Sequence, residues 1–129
     1  MSIPEALRPG AKSSWSRTVT DADIERFAEL SGDKGRHHIE RDGKGRLMAH
    51  GLLTATLPTK LGGDLHYMAR TMEFEFVLPV YGGDRLTCEG VVVASALQST
   101  RVKARIAFEV RNQDGVVVLR GTTTGQVFR

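Results

Sequence analysis

The hydrophobic pattern of the chain changes its period once, and this change limits the folds that it can adopt. Between Ala49 and Leu61 apolar residues surround the segment on almost every side, which indicates a buried helix. Pro58 should kink this helix or end its regular first part, and Gly62-Gly63 should end it. From Arg70 onwards apolar and polar residues alternate, as in half-buried strands. The apolar helix positions are Leu52, Leu53, Ala55, Thr56, Leu57 and Leu61.

The alternating region predicts four strands in sequence. Gly82-Gly83-Asp84 should turn the chain after the first strand, and Asp114-Gly115 is typical of a hairpin before the last, Val116 to Phe128. We therefore expect an antiparallel meander that curves around the buried helix. Its apolar positions are Met72, Phe74, Phe76 and Leu78 in the first strand, Leu86, Cys88, Gly90, Val92 and Ala94 in the second, and Val102, Ala104, Ile106, Phe108 and Val110 in the third.

A capping box marks the start of an earlier helix, after a short strand expected at residues 13–19. The Thr20 hydroxyl can accept the Asp23 N–H, and the Asp23 carboxylate can accept the Thr20 N–H. Gly32 is a typical helix terminator, so the helix should deliver Asp33 directly after its end. Its apolar stripe consists of Ile24, Phe27, Ala28 and Leu30.

Composition narrows the class of protein. A chain of 129 residues with 40% hydrophobic and 26% charged residues forms one globular domain, predicted as 1–129. The single cysteine, Cys88, excludes an internal disulfide framework and a cysteine-built zinc site. We find neither a signal-peptide core nor a membrane span, so we expect a cytoplasmic protein without a membrane partner. Aromatic residues make up only 6% and no nucleic-acid motif occurs, so we expect no nucleic-acid partner.

The net charge of +3 is unevenly distributed along the sequence. Mild basicity of this kind often serves solubility alone. The concentration of basic residues around Asp33 nevertheless suggests contact with a nucleotide phosphate, for which Lys34, Arg36 and Arg46 are the candidates. The basic residues of this cluster are Lys34, Arg36, Arg41, Lys44 and Arg46.

Two acid–base side chains lie five residues apart in a glycine-containing loop. The Asp33 carboxylate and the His38 imidazole can converge there on one water molecule. His50 and Gly51 then open the buried helix, whose first N–H groups can hold an oxygen that becomes negative during a reaction. The alternatives are that Asp33 only caps a turn and that His50 only orients the loop or caps the helix. His37 competes with His38 and is distinguished from it by spacing alone.

These residues resemble the signature of the (R)-specific enoyl-CoA hydratases, the MaoC-like dehydratases of the hot-dog superfamily. That signature is Ser-Gly-Asp-x-Asn-Pro-x-His, followed by His-Gly at the central helix. Ser31, Gly32, Asp33 and His38 match its first part, and His50-Gly51 matches the second, whereas Gly35 and Arg36 replace the Asn and Pro. The resemblance covers nearly the whole chain. It implies an α+β fold with a single hot-dog domain, in which an antiparallel sheet wraps around a central buried helix.

The resemblance also implies a reaction. Asp33 and His38 would bind the water that adds to a trans-2-enoyl thioester and gives an (R)-3-hydroxyacyl thioester. The Gly51 N–H would hold the thioester oxygen, His50 is predicted beside it at the oxyanion and substrate-binding site, and Thr59 falls where the hydratases carry a helix hydroxyl. It implies no metal and no other cofactor, because CoA or an acyl-carrier protein arrives as part of the substrate. It further implies a homodimer or a higher homo-oligomer, since a lone hot-dog unit leaves an open sheet edge and a half-built site.

Two other functions stay open at this point. A hot-dog thioesterase would use the same fold and helix start to hydrolyse the thioester, and a non-catalytic acyl-CoA-binding module would retain only the cleft. We also consider a metal site formed by Asp33, His37 and His38, which we do not favour. The Ser-Gly-Asp…His loop favours the hydratase over the thioesterase.

Overall fold

The computed structural model describes residues 2–128, so Met1 and Arg129, the ends of the predicted domain 1–129, lie outside the described residues. A 3-10 turn at Glu5–Leu7 precedes the first strand. None of the helices formed by residues 2–128 is long and apolar enough to cross a membrane. The elements are β1 (Lys12–Thr18), α1 (Asp21–Ser31), α2 (Arg36–Ile39), α3 (Gly51–Thr54), α4 (Thr56–Asp64), β2 (Met68–Phe76), β3 (Arg85–Gln98), β4 (Arg101–Arg111) and β5 (Val117–Phe128).

The strands form one antiparallel sheet in the order β1-β3-β4-β5-β2. Only β3, β4 and β5 form the expected meander, so the prediction of a four-stranded meander was wrong. Strand β2 pairs with β5 at the far edge, because the segment after it leaves the sheet. The Val80 carbonyl accepts the Ala49 N–H at 2.7 Å, and Met48 forms an isolated bridge with Tyr81. These bonds tie the segment to the start of the central helix.

The predicted buried helix is present as α3 and α4, interrupted at Ala55. The interruption lies three residues before Pro58, because this proline has no N–H for the carbonyl of Thr54 and its ring crowds that turn. Leu53, Leu57 and Leu61 are buried against the sheet, whereas Leu52 is 58% exposed, so the predicted all-round burial was wrong at that position. The helix also continues past Gly62-Gly63 and ends at Asp64.

Helix α1 begins with the predicted capping box. The Thr20 N–H donates to Asp23 Oδ2 at 3.0 Å, and the Asp23 N–H donates to Thr20 Oγ1 at 3.1 Å. Gly32 ends the helix with a φ of 76°, a left-handed conformation that glycine adopts without a Cβ clash. Leu30 is 85% exposed, so its assignment to the apolar stripe was wrong. The helix nevertheless ends directly before Asp33, as predicted.

The alternation is confirmed in β4, where every predicted inward residue is buried, and it fails in two other strands. In β3 the register shifts between Val92 and Ala94, so Ala94 faces outward although it was predicted to face the core. In β2 Phe76 is 55% exposed and Leu78, just beyond the strand, is 46% exposed. Both were predicted to lie on the buried face of a half-buried strand. They are exposed because β2 lies at the edge of the sheet and has only β5 as its neighbour among the described strands.

The capping box provides a stability prediction. We expect Thr20→Ala to lower the free energy of unfolding by about 1 kcal/mol, because it removes the acceptor for the Asp23 N–H. The Thr20 N–H and Arg17 lower the pKa of the Asp23 carboxyl. The stabilisation that the ionised Asp23 contributes is therefore complete above the unfolded pKa of about 3.9. It is lost as the pH falls through the lower pKa of the folded state.

Urea unfolding at several pH values measures both effects. The exposed Thr18→Ala, a change at the end of β1, is the control and should stay within about 0.5 kcal/mol of the parent. Equal losses in the two variants would contradict the role of the cap.

Candidate active site

The loop after α1 holds Asp33 through its own hydrogen bonds. The Asp33 N–H donates to Ser31 Oγ at 3.0 Å, and the Gly35 N–H donates to Asp33 Oδ1 at 3.1 Å. One carboxylate oxygen thus caps a turn, which is the alternative that the sequence left open. The other oxygen, Oδ2, points towards His38. Asp33 therefore caps the turn with one oxygen and leaves the other facing His38.

His38 lies on α2 and is 5% exposed. Its Nδ1 is 2.7 Å from the Met48 carbonyl oxygen. Because a carbonyl can only accept, Nδ1 carries the proton, and Nε2 of the neutral ring keeps a free electron pair. Nε2 lies 3.7 Å from Asp33 Oδ2. This separation is too long for a direct hydrogen bond. It allows the two acceptor atoms, Nε2 and Oδ2, to bind the same water molecule.

His50 connects the central helix to the Asp33 loop. Its Nε2–H donates to the Asp33 carbonyl oxygen at 2.8 Å. Its ring stacks on that of His38, with 3.7 Å between centroids and 17° between planes, and Phe27 lies against it with 4.8 Å between centroids. Its side chain does not cap α3. Of the two roles expected for His50, the geometry therefore shows support of the loop.

Gly51 lies in the wall of the same cleft as Asp33 and His38, and the cleft encloses about 650 Å³. A Cβ added to Gly51 would lie 2.5 Å from the Phe76 ring, so this position has no room for a side chain. As the first residue of α3, Gly51 has an N–H that the helix itself cannot satisfy. An electronegative atom of a ligand in the cleft can therefore accept a hydrogen bond from this N–H.

The electrostatics of the cleft favour an ionised Asp33. The Gly35 N–H lowers the pKa of the Asp33 carboxyl below its usual value, and the neighbouring histidines His38, His50 and His37 add to the effect. Partial removal from water acts in the opposite direction. His37 itself is exposed and lies against the His38 ring, with 3.8 Å between centroids. A carboxylate and a free imidazole electron pair thus face each other across the cleft.

The remaining predicted site residues lie elsewhere or are already paired. Thr59 donates its hydroxyl hydrogen to the Thr56 carbonyl oxygen at 2.8 Å and lines a separate apolar cavity of about 150 Å³. Within one chain it is not part of the cleft. The three basic candidates each have an acidic neighbour: Lys34 lies 2.9 Å from Glu29, Arg36 3.4 Å from Glu40 and Arg46 2.9 Å from Asp42.

Asp33, His38 and His50 each offer an atom that could bind a metal ion, and these atoms lie within 4.8 Å of one another. The set differs from the one considered in the sequence, because His50 replaces His37. Each imidazole already donates one ring N–H to a backbone carbonyl. The electron pairs of two stacked rings lie in nearly parallel planes and cannot converge on one ion at tetrahedral angles. The cluster is therefore better suited to water than to a metal.

Three contacts in the site carry no signal that the sequence analysis could use. The Met48 carbonyl sets the His38 tautomer, but a backbone atom leaves no residue preference. Phe27 was assigned to the core, and the structure places its ring on His50. Phe76 was assigned to a half-buried strand, and its ring closes the space over Gly51.

Comparisons with known proteins give a consistent picture. No protein-family model matches the chain. An (R)-specific enoyl-CoA hydratase of Rhodospirillum rubrum is 30% identical, over 95% of this chain and 90% of its own length. Among solved structures, an (R)-hydratase from A. caviae involved in PHA biosynthesis has a TM-score of 0.84 and 26% identity, covering 96% of this chain and 99% of its own.

The MaoC-like dehydratase from Rhodospirillum rubrum has a TM-score of 0.81 and 26% identity, covering 97% of this chain and 95% of its own. These similarities extend over the sheet, the central helix and the Asp33 loop alike, since nearly the whole chain is matched. They agree with the resemblance found in the sequence and with the hot-dog arrangement of the structure. The chain belongs to the MaoC-like dehydratase and (R)-specific enoyl-CoA hydratase family of the hot-dog superfamily.

Proposed function

We propose that this protein adds water to a trans-2-enoyl thioester and gives an (R)-3-hydroxyacyl thioester, and that it catalyses the reverse dehydration. The observation that carries the proposal is the pairing of Asp33 Oδ2 and His38 Nε2 across 3.7 Å in the cleft. The similar (R)-specific enoyl-CoA hydratases support the reaction class. The thioester carrier is CoA or an acyl-carrier protein, and the reaction transfers no electrons, so it requires no redox cofactor.

The two acceptors divide the work on the water molecule. One water can donate one O–H to Asp33 Oδ2 and the other to His38 Nε2, which leaves an oxygen electron pair for C3 of the substrate. As the C–O bond forms, His38 accepts a proton, and the Asp33 carboxylate stabilises the imidazolium. The electron pair of the C2–C3 double bond moves to the thioester oxygen. Return of the proton from His38 to C2 completes the addition of one water.

The developing negative charge on the thioester oxygen needs a donor. We assign this role to the Gly51 N–H, at the start of α3 and in the wall of the cleft. The absence of a side chain at Gly51 lets the Phe76 ring pack against it and close this wall of the cleft. His50 supports the Asp33 loop through its carbonyl. Contact of the substrate with Thr59 and with the paired residues Lys34, Arg36 and Arg46 stays a prediction from the sequence.

The two catalytic side chains can be tested separately. We expect Asp33→Asn and His38→Ala each to lower kcat by about 100- to 10,000-fold, because the first removes the negative charge beside the water and the second removes the imidazole that accepts its proton. The loss of absorbance of the conjugated crotonyl-CoA thioester measures hydration, and thiol titration measures any hydrolysis. The exposed His66→Asn is the control and should keep full activity. Near-normal hydration by both site variants would contradict the assignment, and release of free thiol would instead indicate a thioesterase.

The lowered pKa of Asp33 predicts its behaviour with pH. Because the ionised form is the active one, the contribution of Asp33 is complete at neutral pH. It is lost only as the pH falls through a folded pKa that lies below the ordinary value of about 3.9. An NMR titration of the Asp33 carboxyl carbon should therefore have its midpoint below that value. A midpoint above it would show that the Gly35 N–H and the histidines do not stabilise the carboxylate.

We also propose that two copies associate as a homodimer through β2. One edge of β2 pairs with β5, and no described strand covers the other edge. Apolar side chains are exposed along this region, among them Met68 at 57% and Leu78 at 46%. An unpaired edge with apolar side chains favours pairing with a second strand. The predicted cytoplasmic location and the absence of a nucleic-acid partner stay expectations from the sequence.

The dimer can be tested by mass in solution. Sedimentation equilibrium should give twice the chain mass for the unmodified protein. Met68→Glu combined with Leu78→Glu should shift it towards one chain, because charges at the edge oppose pairing. Val116→Glu also replaces an exposed apolar residue, in the turn before β5, and should not change the mass. A monomeric unmodified protein, or equal dissociation in both variants, would contradict the β2 interface.

A further inference from the structure

A groove on the outer face of the sheet is lined by cationic side chains that form no ion pairs within the described residues. It encloses about 540 Å³ and lies where β2 begins, β3 and β5 end and β4 begins. We call it the basic groove and define it by four of its lining residues, Arg70, Arg101, Lys103 and Arg105.

The period of β4 creates this charge. Val102 and Ala104 face the core, so the alternating residues Arg101, Lys103 and Arg105 all face outward. Arg70 joins them from β2, at the register shift between Ala69 and Thr71. The β-bulge that turns Ala94 outward also places small side chains, Ala94 and Ala96, opposite Arg105 and Lys103. The small alanine side chains between the long arginine and lysine side chains leave a hollow whose rim is positively charged.

Within the described chain no carboxylate forms an ion pair with any of the four groove cations. The acids of the outer face lie further along the sheet. Glu75 there is already bound to Arg120 at 2.7 Å, and Glu109 to Arg111 at 2.6 Å. The basic cluster near Asp33 is different, because Lys34, Arg36 and Arg46 each have an acidic neighbour. The groove is thus the better anion site.

We propose that the basic groove binds the phosphates of a nucleotide. Arginine presents paired N–H donors that match phosphate oxygens, and several cations around one hollow suit a ligand with several negative charges. The volume lies within the range of small-molecule sites. The nucleotide is either the adenosine phosphate portion of CoA, in which case this inference rests on the proposed function, or a free nucleoside diphosphate.

Calorimetry with ADP and with adenosine 3′,5′-bisphosphate tests the groove without any need for catalysis. We expect both ligands to bind the unmodified protein and to bind more weakly at high salt. Lys103→Gln combined with Arg105→Gln should raise the Kd at least tenfold, and both side chains are exposed, so the fold should be kept. Arg26→Gln removes an exposed arginine of α1 and should not change the Kd. Undetectable binding, or equal weakening in the control, would overturn the proposal.

The source of the nucleotide follows from a second measurement on the same variants. If the groove anchors the substrate, the double variant should lose kcat/KM for crotonyl-CoA and keep it for crotonyl-pantetheine, which lacks the nucleotide. If the groove binds a free nucleotide, both values should be unchanged although ADP binding is lost. Either result supports the site. Failure of all hydration, with nucleotide binding intact, would contradict the proposed reaction and not the groove.

Discussion

The hydrogen bond from His38 Nδ1–H to the Met48 carbonyl is the contact on which the proposed chemistry depends. A buried imidazole without a fixed partner can exchange its tautomers, and its free electron pair then points in two directions. Here the carbonyl acceptor fixes the proton on Nδ1 and directs Nε2 towards Asp33. Met48 lies just before the central helix, in the segment that is bonded to Val80 and Tyr81. The tautomer of one ring is thus set by the path of the chain between β2 and β3.

The two stacked histidines have different roles because their second nitrogen atoms lie in different surroundings. Each ring donates one N–H to a carbonyl oxygen, so that this polar group stays hydrogen-bonded although the ring is buried. The remaining nitrogen of His38 faces Asp33, whereas Nδ1 of His50 is buried from solvent. Of these two rings, only His38 can therefore take a proton from a molecule in the cleft. Since two protonated rings at 3.7 Å would repel, a neutral His50 is also the better neighbour for a ring that must become charged.

The parts of this structure that could be predicted from the sequence are those set by local rules. Local rules set the capping box at Thr20, the helix end at Gly32 and the proximity of Asp33 to His38. Each of these features depends on residues that are close together in the chain. The pairing of β2 with β5 could not be predicted, because alternation identifies a strand and not its neighbour. Leu52 and Phe76 were misassigned for a related reason. Apolar character does not distinguish a residue that packs on the core from one that lines a cleft or an uncovered edge.

The distribution of basic residues also differs between the sequence and the fold, because residues that are close in the sequence are not the only ones that meet in the structure. The basic cluster near Asp33 was predicted to bind phosphate because its residues lie close together in the sequence. The acids among them are equally close, and they pair with Arg36 and Arg46 at four-residue spacing. In β4 the intervening positions are apolar and point to the other face, so no acid can lie between Arg101, Lys103 and Arg105 on their own strand. Neighbouring strands then decide whether the charge is neutralised. At this end of the sheet they supply small side chains and Arg70, so the positive charge accumulates.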